Sequence, residues 1–518
     1  MTQKEDHDIR SLTALFNSLD SENSGFITKQ TLLIALEKAG IQENDPRIAE
    51  TMQGFSQNDD KISLQAFCKV ISCNLNLIER CLRGELIILD FADFCQDIER
   101  IYEETKKNTG GHVATYIPQL ARVDPEQYAI SVCTIDGQRF SLGEAEIPFC
   151  VQSVAKPINY CIALEQHGEE VVHHYIGREP SGTQFNAMTL NKFGKPHNPM
   201  VNAGGIVACS LIHPKLTLAD RFDSVVKTWT ELSGEVQPGF NNAVYLSEKG
   251  TADRNFALGY FMRENKVFPE GTDLIETLEF YFQCCSMEVN SKAMAVAAAT
   301  LANAGICPIT EKKVLKTNTV KNCLSLMSSC GMYDFSGEFS FLVGLPAKSG
   351  VSGALMLVIP GVMGISIWSP RLDEFGNSVR GIEFCKALVQ QFNFHRFDSL
   401  HNKENKKDPR KKEFDIHRED VMTLFWAASR GDLNIIKHLV AQGIDINQGD
   451  YDDRTALHLA AAKGYEQVAK YLLSKGVAIN SRDRWGYTPL DDAYRENNNS
   501  LIVLLEQSGG LRSSDLPA

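Results

Sequence analysis

The sequence predicts an α+β fold, a sheet covered by helices, with a helical region before it and a repeat array after it. Residues 1–105 place apolar side chains at helical spacing, strand-like and helix-like segments mix over 106–400, and motifs recur every 33 residues from 419. A chain of 518 residues is too long for one ordinary domain. We therefore expect five segments: 1–105, 106–400, a linker at 401–418, repeats at 419–510, and a tail at 511–518.

Composition narrows the class of protein. A hydrophobic content of 43% and a charged content of 23% are typical of globular proteins, and the net charge of −13 argues against a nucleic-acid surface. The 14 cysteines follow neither disulfide-framework nor zinc spacing, which indicates reduced thiols and no metal site. The most apolar stretch, 351–368, is interrupted by Pro360-Gly361, so no membrane contact is expected.

The N-terminal region resembles a degenerate EF-hand pair. The loop Asp20–Thr31 has Gly25 at its sixth place and Ile27 at its eighth, but Thr31 stands where a bidentate glutamate binds calcium. A second degenerate copy is predicted between Phe55 and Phe67. The missing ligands favour a paired-helix scaffold over calcium binding, although both interpretations fit the spacing.

The central region alternates between strand and helix signals. Asp136-Gly137 is a hairpin signal between two β-rich stretches, and a small-residue helix suited to burial is predicted later. The predicted strands are Tyr128–Thr134, Arg139–Leu142, Phe339–Val343, a start at Ala347-Lys-Ser349, and two more across Pro360-Gly361; the buried helix is Ala293–Ala304. Strands at both ends with helices between them predict an α+β layer or a three-layer sandwich.

The C-terminal part contains a linker and a repeat. Residues 401–418 are dense in charge, which favours a solvated linker over an anion- or lipid-binding segment. Thr455-Ala-Leu-His-Leu-Ala460 and Thr488-Pro-Leu-Asp-Asp-Ala493 lie 33 residues apart, which is the ankyrin period and motif. Two full repeats and a degenerate third are predicted; they indicate a protein partner or packing on the same chain.

The strongest chemical signal is Ser153 with Lys156. Residues three apart share a helix face, so the hydroxyl and the amine would meet. Pro157 belongs in the first turn of a helix, which puts the helix start, and its positive dipole end, near Ser153. The spacing alone also suits a capping serine with a solvated lysine, and it recurs at Ser224 and Lys227.

Other polar clusters support the catalytic interpretation. Asn202 precedes Gly204-Gly205, Glu248 lies close to Asn255 in sequence, and Tyr281 and Tyr333 stand in polar or glycine-flanked contexts. Each cluster alone suits a structural role equally well. An early Ser-x-x-Lys and the later Lys348-Ser-Gly350 are together the layout of serine acyl-transfer enzymes, in which a neutral lysine serves as the base. Lys348 is a candidate cationic neighbour that would keep Lys156 neutral.

Longer motifs carry a resemblance to a known family. They are Phe149–Pro157, Gly177-Arg-Glu-Pro-Ser-Gly182, Lys195–Gly204, Asp253–Ala257, Gly331-Met-Tyr-Asp-Phe-Ser-Gly337 and Leu345–Val351. Over about 116–408 the chain resembles the serine-dependent glutaminases, with the animal kidney- and liver-type enzymes the nearest likeness. The helical region and the ankyrin repeats resemble the same enzymes.

The resemblance implies a β-lactamase-like fold, no cofactor, and hydrolysis of L-glutamine to L-glutamate and ammonia. It implies that Ser153 is the nucleophile, Lys156 its base and Tyr333 a proton relay, and that the backbone N–H groups of Ser153 and Val351 form the oxyanion hole. It further implies that a set of polar side chains holds the substrate. That set is Tyr116, Asn202, Glu248, Asn255 and Tyr281.

Assembly, regulation and location also follow from the resemblance. It implies dimers and tetramers. The loop 185–191 departs from the kidney-type pattern, with Ala187 and Thr189 in place of lysine and phenylalanine, so phosphate activation and inhibitor sensitivity are not carried over. A mitochondrial location is implied, yet the N-terminus reads as neither signal nor transit peptide, so a cytoplasmic location stays open.

Two other functions fit part of the pattern. A β-lactamase or peptidase of the same fold would need an open groove for a bulky acyl substrate, whereas the polar set suits a small zwitterion. An inactive ankyrin scaffold would have lost catalytic positions, and here every matched position is filled.

Overall fold

A computed structural model describes residues 12–20, 23–56, 61–182, 186–398, 406–411, 413–441 and 444–516. The chain divides into two compact units, Met1–Ser399 and Leu400–Ala518. No helix in the described ranges is long and apolar enough to cross a membrane.

The first unit begins with a helical region built around two loops. Its helices are α1 (12–19), α2 (Lys29–Lys38), α3 (Ala49–Ser56), α4 (Leu64–Ile71), α5 (Leu75–Arg83) and α6 (Phe91–Lys106). Strands β1 (Phe26–Thr28) and β2 (Lys61–Ser63) pair antiparallel between the two loops, an addition to the predicted helices.

Hydrogen bonds between protein groups stabilise the first EF-hand-like loop, Asp20–Thr31. Asp20 accepts the backbone N–H groups of Ser24 and Gly25 at 2.9 and 2.7 Å. Thr31, at the twelfth place, has its hydroxyl 2.8 Å from that of Thr28, which caps α2. The third-place residue Glu22 and the centre of the second copy, 58–60, lie outside the described residues.

The centre of the unit is a five-stranded antiparallel sheet in the order β4-β3-β10-β9-β8. Its strands are β3 (Ala129–Thr134), β4 (Arg139–Gly143), β8 (Ala347–Ser349), β9 (Ala354–Ile359) and β10 (Met363–Trp368). Alternate residues of β9 and β10 join two different apolar clusters, one on each face. Helix α6 and the later α16 (Val379–Gln391) cover one face, which makes the predicted three-layer sandwich.

Further helices lie between residues 155 and 342. They are α7 (Ala155–Tyr175), α8 (Asn202–Leu211), α9 (Leu218–Leu232), α10 (Asn242–Gly250), α11 (Asp253–Glu264), α12 (Leu274–Cys285), α13 (Ser291–Ala302), α14 (Thr317–Cys330) and α15 (Ser336–Leu342). Helix α13 packs on the other face of the sheet, whereas Phe339 of α15 joins the apolar cluster on the α6 face. Helix α13 packs so closely on β10 that a Cβ on Gly364 would lie 2.1 Å from the backbone nitrogen of Ala299. This approach explains the small side chains of α13.

A second, smaller sheet leads the chain to Ser153. Strand β7 (Met287–Val289) lies between β5 (Phe149–Cys150) and β6 (Gly239–Phe240), and all pairs are antiparallel. The backbone N–H of Val151 donates to the carbonyl of Met287 at 2.9 Å, which extends this anchoring to the residue next to the 3-10 turn Gln152–Val154.

The structure corrects two local predictions. Phe339–Val343 lies mostly in α15 and is not a strand. Ser153 lies in the 3-10 turn and does not cap α7; Val154 occupies the capping position without a side-chain bond. Pro157 does lie in the first turn of α7, as predicted.

The second unit contains paired helices. They are α17 (Glu413–Arg430), α18 (Leu433–Ala441), α19 (Ala456–Lys463), α20 (Glu466–Ser474), α21 (Pro489–Arg495) and α22 (Asn499–Gln507). Thr455 and Thr488, the threonines of the repeated motif, each form a capping box with the residue three positions on. Asn447 and Asn480 each accept a backbone N–H from 31 residues further on, Ala478 at 2.7 Å and Leu511 at 2.8 Å.

Candidate active site

Ser153 and Lys156 meet at the start of α7. The side-chain nitrogen Nζ of Lys156 lies 2.6 Å from Ser153 Oγ, and only 1% of Lys156 is exposed. Burial lowers the pKa of Lys156, because the charged amine loses its hydration. The sequence alternative, a capping serine with a solvated lysine, is therefore wrong for this pair.

The glycines of α8 leave room for the lysine. A Cβ on Gly205 would lie 2.9 Å from Lys156 Cε, and a Cβ on Gly204 would lie 1.9 Å from the backbone oxygen of Asn198. The predicted close approach is thus real, and Gly205 shapes the channel through which Lys156 reaches Ser153.

The second copy of the spacing behaves differently. Ser224 and Lys227 lie in α9, where Lys227 is exposed and Ser224 only partly buried. No hydrogen bond joins their side chains in the described structure. Equal spacing therefore yields two unlike environments, and burial distinguishes them.

A polar cavity of about 300 Å³ opens beside Ser153. Six of the residues singled out from the sequence line it: Tyr116, Ser153, Asn202, Glu248, Asn255 and Tyr281. Asn202 Nδ2 donates to Asn255 Oδ1 at 3.0 Å, and the Tyr281 hydroxyl lies 3.4 Å from Asn202 Oδ1. Tyr116 remains 55% exposed and stands at the edge of the cavity.

Glu248 provides a buried carboxylate in this cavity. Burial raises its pKa to about 7, and the hydrogen bond from Gln152 Nε2 to Glu248 Oε2, 3.1 Å long, together with the charge of Lys156, opposes that rise. Such a group can pair with a ligand ammonium once it is ionised.

Tyr333 and Val351 do not line the polar cavity; both belong to one small apolar cluster. Burial raises the pKa of Tyr333, while a hydrogen bond with Ser153 acts in the opposite direction. Gly350 lets the segment of Val351 approach the segment that precedes Ser153, since a Cβ on Gly350 would lie 2.8 Å from the backbone oxygen of Val151.

Lys348 is buried beside these groups. Its Nζ lies 4.4 Å from the ring centre of Tyr333 and donates to the carbonyl of Ser349 at 2.6 Å. Burial and the charge of Lys156 lower the pKa of Lys348 well below its ordinary value. Lys348 was expected to act as a cationic neighbour of Lys156, but its own lowered pKa favours its neutral form. Burial is what lowers the pKa of Lys156.

Some residues of the cavity were absent from the predicted site: Ile117, Gln152, Asn186, Thr251, Ala252, Arg254 and Cys285. Gln152 could have been found, because it directly precedes Ser153 in the sequence. Both Gln152 and Tyr333 have positive φ angles, 47° and 54°, which are strained for residues other than glycine. Of the loop 185–191, Phe185 lies outside the described residues, while Asn186 lines the cavity.

No group of three or more metal-ligating side chains occurs within the described ranges. The geometry therefore presents a serine with a buried amine, a carboxylate and a set of amide and phenol groups. This combination suits acyl transfer to serine from a small zwitterion.

Comparisons with known proteins give the family. A glutaminase family model matches residues 111–397, an ankyrin-repeat model of three copies matches 424–513, and an EF-hand model matches 12–88. The mitochondrial liver isoform of glutaminase from Rattus norvegicus is 46% identical over 479 residues, which are 91% of this chain and 80% of the relative. A glutaminase from Nostoc is 41% identical over 304 residues, 58% of this chain and 90% of the relative.

Two solved structures support the same family assignment. The protein named probable glutaminase ybaS aligns with a TM-score of 0.57 and 34% identity over 60% of this chain and 99% of its own. The protein named Mglu, in its native form, aligns with a TM-score of 0.54 and 34% identity over 57% of this chain and 71% of its own. Residues 111–397 thus have the β-lactamase-like fold. With this support, the chain belongs to the glutaminase family and hydrolyses L-glutamine to L-glutamate and ammonia.

Proposed function

We propose that glutamine hydrolysis proceeds through a covalent ester on Ser153. Ser153 Oγ attacks the side-chain amide carbon while Lys156 Nζ takes the hydroxyl proton. The tetrahedral intermediate collapses, the C–N bond breaks, and the nitrogen leaves as ammonia after receiving a proton. Water then attacks the ester and releases glutamate and the free serine. The observation that carries this proposal is the 2.6 Å contact between the two side chains inside a buried site.

The backbone N–H groups of Ser153 and Val351 would hold the oxyanion. The close approach of Gly350 to Val151 supports this role, because it brings the two segments side by side. Fixed donors at the developing negative charge are a large source of rate acceleration, about 100- to 1000-fold for one donor.

Tyr333 would pass a proton to the leaving ammonia. Its hydroxyl interacts with Ser153, and its ring contacts Lys348. A phenol whose pKa is raised by burial keeps its proton until a stronger base develops, as the departing amine does.

The polar cavity would select a free amino acid. Glu248 would pair with the α-ammonium, and Asn202, Asn255, Tyr116 and Tyr281 would donate to the α-carboxylate. The cavity volume of about 300 Å³ lies at the lower end of ligand-pocket volumes, which favours one small zwitterion over a bulky acyl substrate. One solved relative that is 34% identical is described as Mglu in its glutamate form, in keeping with an amino-acid site.

The second Ser-x-x-Lys pair offers a matched control for the nucleophile. Ser153→Ala and Lys156→Ala should each reduce ammonia release from glutamine by more than about 1000-fold, because the two groups act as a unit. Ser224→Ala and Lys227→Ala, with the same spacing on α9, should retain the parent rate. The proposal is wrong if Ser153→Ala remains active while folded. Turnover of asparagine or nitrocefin at the glutamine rate would contradict the substrate assignment.

We also propose that the chain assembles into dimers and tetramers. Large apolar side chains are exposed on α10 and α11, including Leu246 (57%) and Tyr260 (46%). Single exposed apolar side chains are common, so the proposal rests on the family resemblance, and these two residues are candidates for the contact. Light scattering of the purified chain, with and without phosphate, should give a mass of two or four chains; a monomer under both conditions would contradict this.

A mitochondrial location and a protein partner for the repeats complete the proposal. The location rests on the rat relative named as mitochondrial, and the partner on the ankyrin match. Imaging the tagged protein together with a mitochondrial marker distinguishes this location from the cytoplasm.

A further inference from the structure

A second cavity of about 260 Å³ is lined in part by Val351, and we call it the rear cavity. It shares no lining residue with the polar cavity beside Ser153. Between the two lies a small apolar cluster of Ile117, Cys150 and Val244, with Leu120 packed against it. The two cavities are therefore separate, and this apolar cluster lies between them.

Polar groups with unused hydrogen-bonding capacity line the rear cavity. Gln119 Oε1 and Ser352 Oγ are buried without a hydrogen-bond partner, and Ser352 is only 8% exposed. Buried polar atoms are almost always paired with protein or ordered water, so these two atoms are available to a ligand in the rear cavity. Gln119 Oε1 can only accept a hydrogen bond, so it suits a ligand that carries an N–H or O–H donor.

Two opposite charges lie in the same lining. Arg122 is exposed at the cavity, and no ion pair involves it in the described ranges. Glu288 accepts a hydrogen bond from Asn241 Nδ2 on Oε1 at 2.9 Å. A guanidinium favours a carboxylate, and a carboxylate favours an ammonium.

The remaining wall is apolar. Phe149 and Trp368 stack with their ring centres 5.0 Å apart, and Val123 and Val244 lie in the same lining. The volume is below the roughly 300–1,000 Å³ of cavities for drug-sized ligands. From these features we propose that the rear cavity binds a small apolar α-amino acid, with its carboxylate at Arg122, its ammonium at Glu288 and Gln119, and its side chain against the aromatic pair.

Such a ligand would act on glutamine binding through shared elements. Helix α10 carries Val244 in the rear cavity and Glu248 in the polar cavity, four residues apart on one face. Asn241 caps this helix and also donates a hydrogen bond to Glu288. A ligand packed beneath α10 and Val351 would hold both in place, so we expect tighter binding of glutamine, and by reciprocity tighter binding of the ligand when glutamine is bound.

The test uses L-leucine as the probe and the full chain. Equilibrium dialysis with labelled leucine is carried out while a saturating concentration of L-glutamate fills the polar cavity. About one leucine per chain should remain bound, and Arg122→Ala should weaken its binding about tenfold or more, since a charged contact is lost. Arg122→Lys should restore part of it, and Arg100→Ala, an exposed arginine on α6, should bind leucine like the parent.

Analogues separate the two charged contacts. 4-Methylpentanoate, which lacks the ammonium, and isopentylamine, which lacks the carboxylate, should each bind more weakly than leucine. In kinetic assays leucine should lower the KM for glutamine in the parent and not in Arg122→Ala. Complete displacement of leucine by glutamate, equal binding by Arg122→Ala, or no retention at about 10 mM leucine would each overturn the proposal.

Discussion

At the scale of single residues, the active site is governed by burial of charge. Lys156 is 1% exposed and Glu248 is 7% exposed, and burial moves both pKa values toward neutrality. The lysine becomes a usable base and the carboxylate becomes a group that ionises near pH 7. Neither shift can be predicted from a Ser-x-x-Lys motif, because Ser224 and Lys227 have the same motif without burial.

The Gln152–Glu248 hydrogen bond should set how glutamine binding depends on pH. The pKa of Glu248 is about 7, so KM should fall as the pH rises through that value and the carboxylate ionises. Gln152→Leu removes the donor that favours the ionised form. It should move this transition about one pH unit higher. Steady-state kinetics from pH 5.5 to 9 measure it, with exposed Gln237→Leu as the control. An unmoved transition would show that Gln152 does not tune Glu248.

At the scale of helices and strands, the chemistry depends on how closely elements approach. Most predicted elements were confirmed, including the β3–β4 hairpin and α13, because their signals are local. The prediction at Phe339–Val343 was wrong, since Phe339, Phe341 and Val343 alternate as in a strand. Phe339 and Val343 also lie four apart as on a helix, and the 79% exposure of Phe341 shows the helical arrangement. Alternation over five residues cannot distinguish the two.

Two neighbouring glycines of α8 should separate catalysis from folding. In Gly205→Ala the new methyl group meets the Lys156 side chain, so the protein should fold while kcat falls about 100-fold through misplacement of the base. In Gly204→Ala the methyl group meets the backbone of Asn198, which cannot move aside, so soluble yield or unfolding temperature should fall instead. Circular dichroism and ammonia release distinguish these outcomes; parent kcat in folded Gly205→Ala would refute the packing argument.

At the scale of the whole molecule, the EF-hand-like region is joined to the catalytic sheet through the β3–β4 hairpin. Gln138 is 1% exposed and bridges the two, donating to the carbonyls of Ala39 and Ile88 at 2.9 and 3.0 Å and accepting the N–H of Ile88 at 3.0 Å. The sequence predicted a hairpin here but not its use as a docking point, since the contacts span 50 to 99 residues.

Loss of this bridge should be visible in stability. Gln138→Ala removes the partner of three backbone groups, two at buried Ile88 and one at half-buried Ala39, so the free energy of unfolding should fall by about 3 kcal/mol. Urea denaturation of the full chain measures the change, and Gln237→Ala, an exposed glutamine, should change it little. A Gln138→Ala protein as stable as the parent would mean that the junction is held by other contacts.

The buried lysine pair has a consequence for the proton balance of folding. Lys156 and Lys348 both have lowered pKa values in the folded chain, whereas the ordinary value is 10.5. Between those lowered values and pH 10.5 the unfolded chain binds more protons, so the two lysines make the free energy of unfolding rise with pH. Folding must therefore release protons to the buffer, and replacing both lysines with methionine should reduce that release. Calorimetric refolding in buffers of different ionisation enthalpy would measure it. Each chain that folds in this pH range therefore acidifies the surrounding buffer slightly.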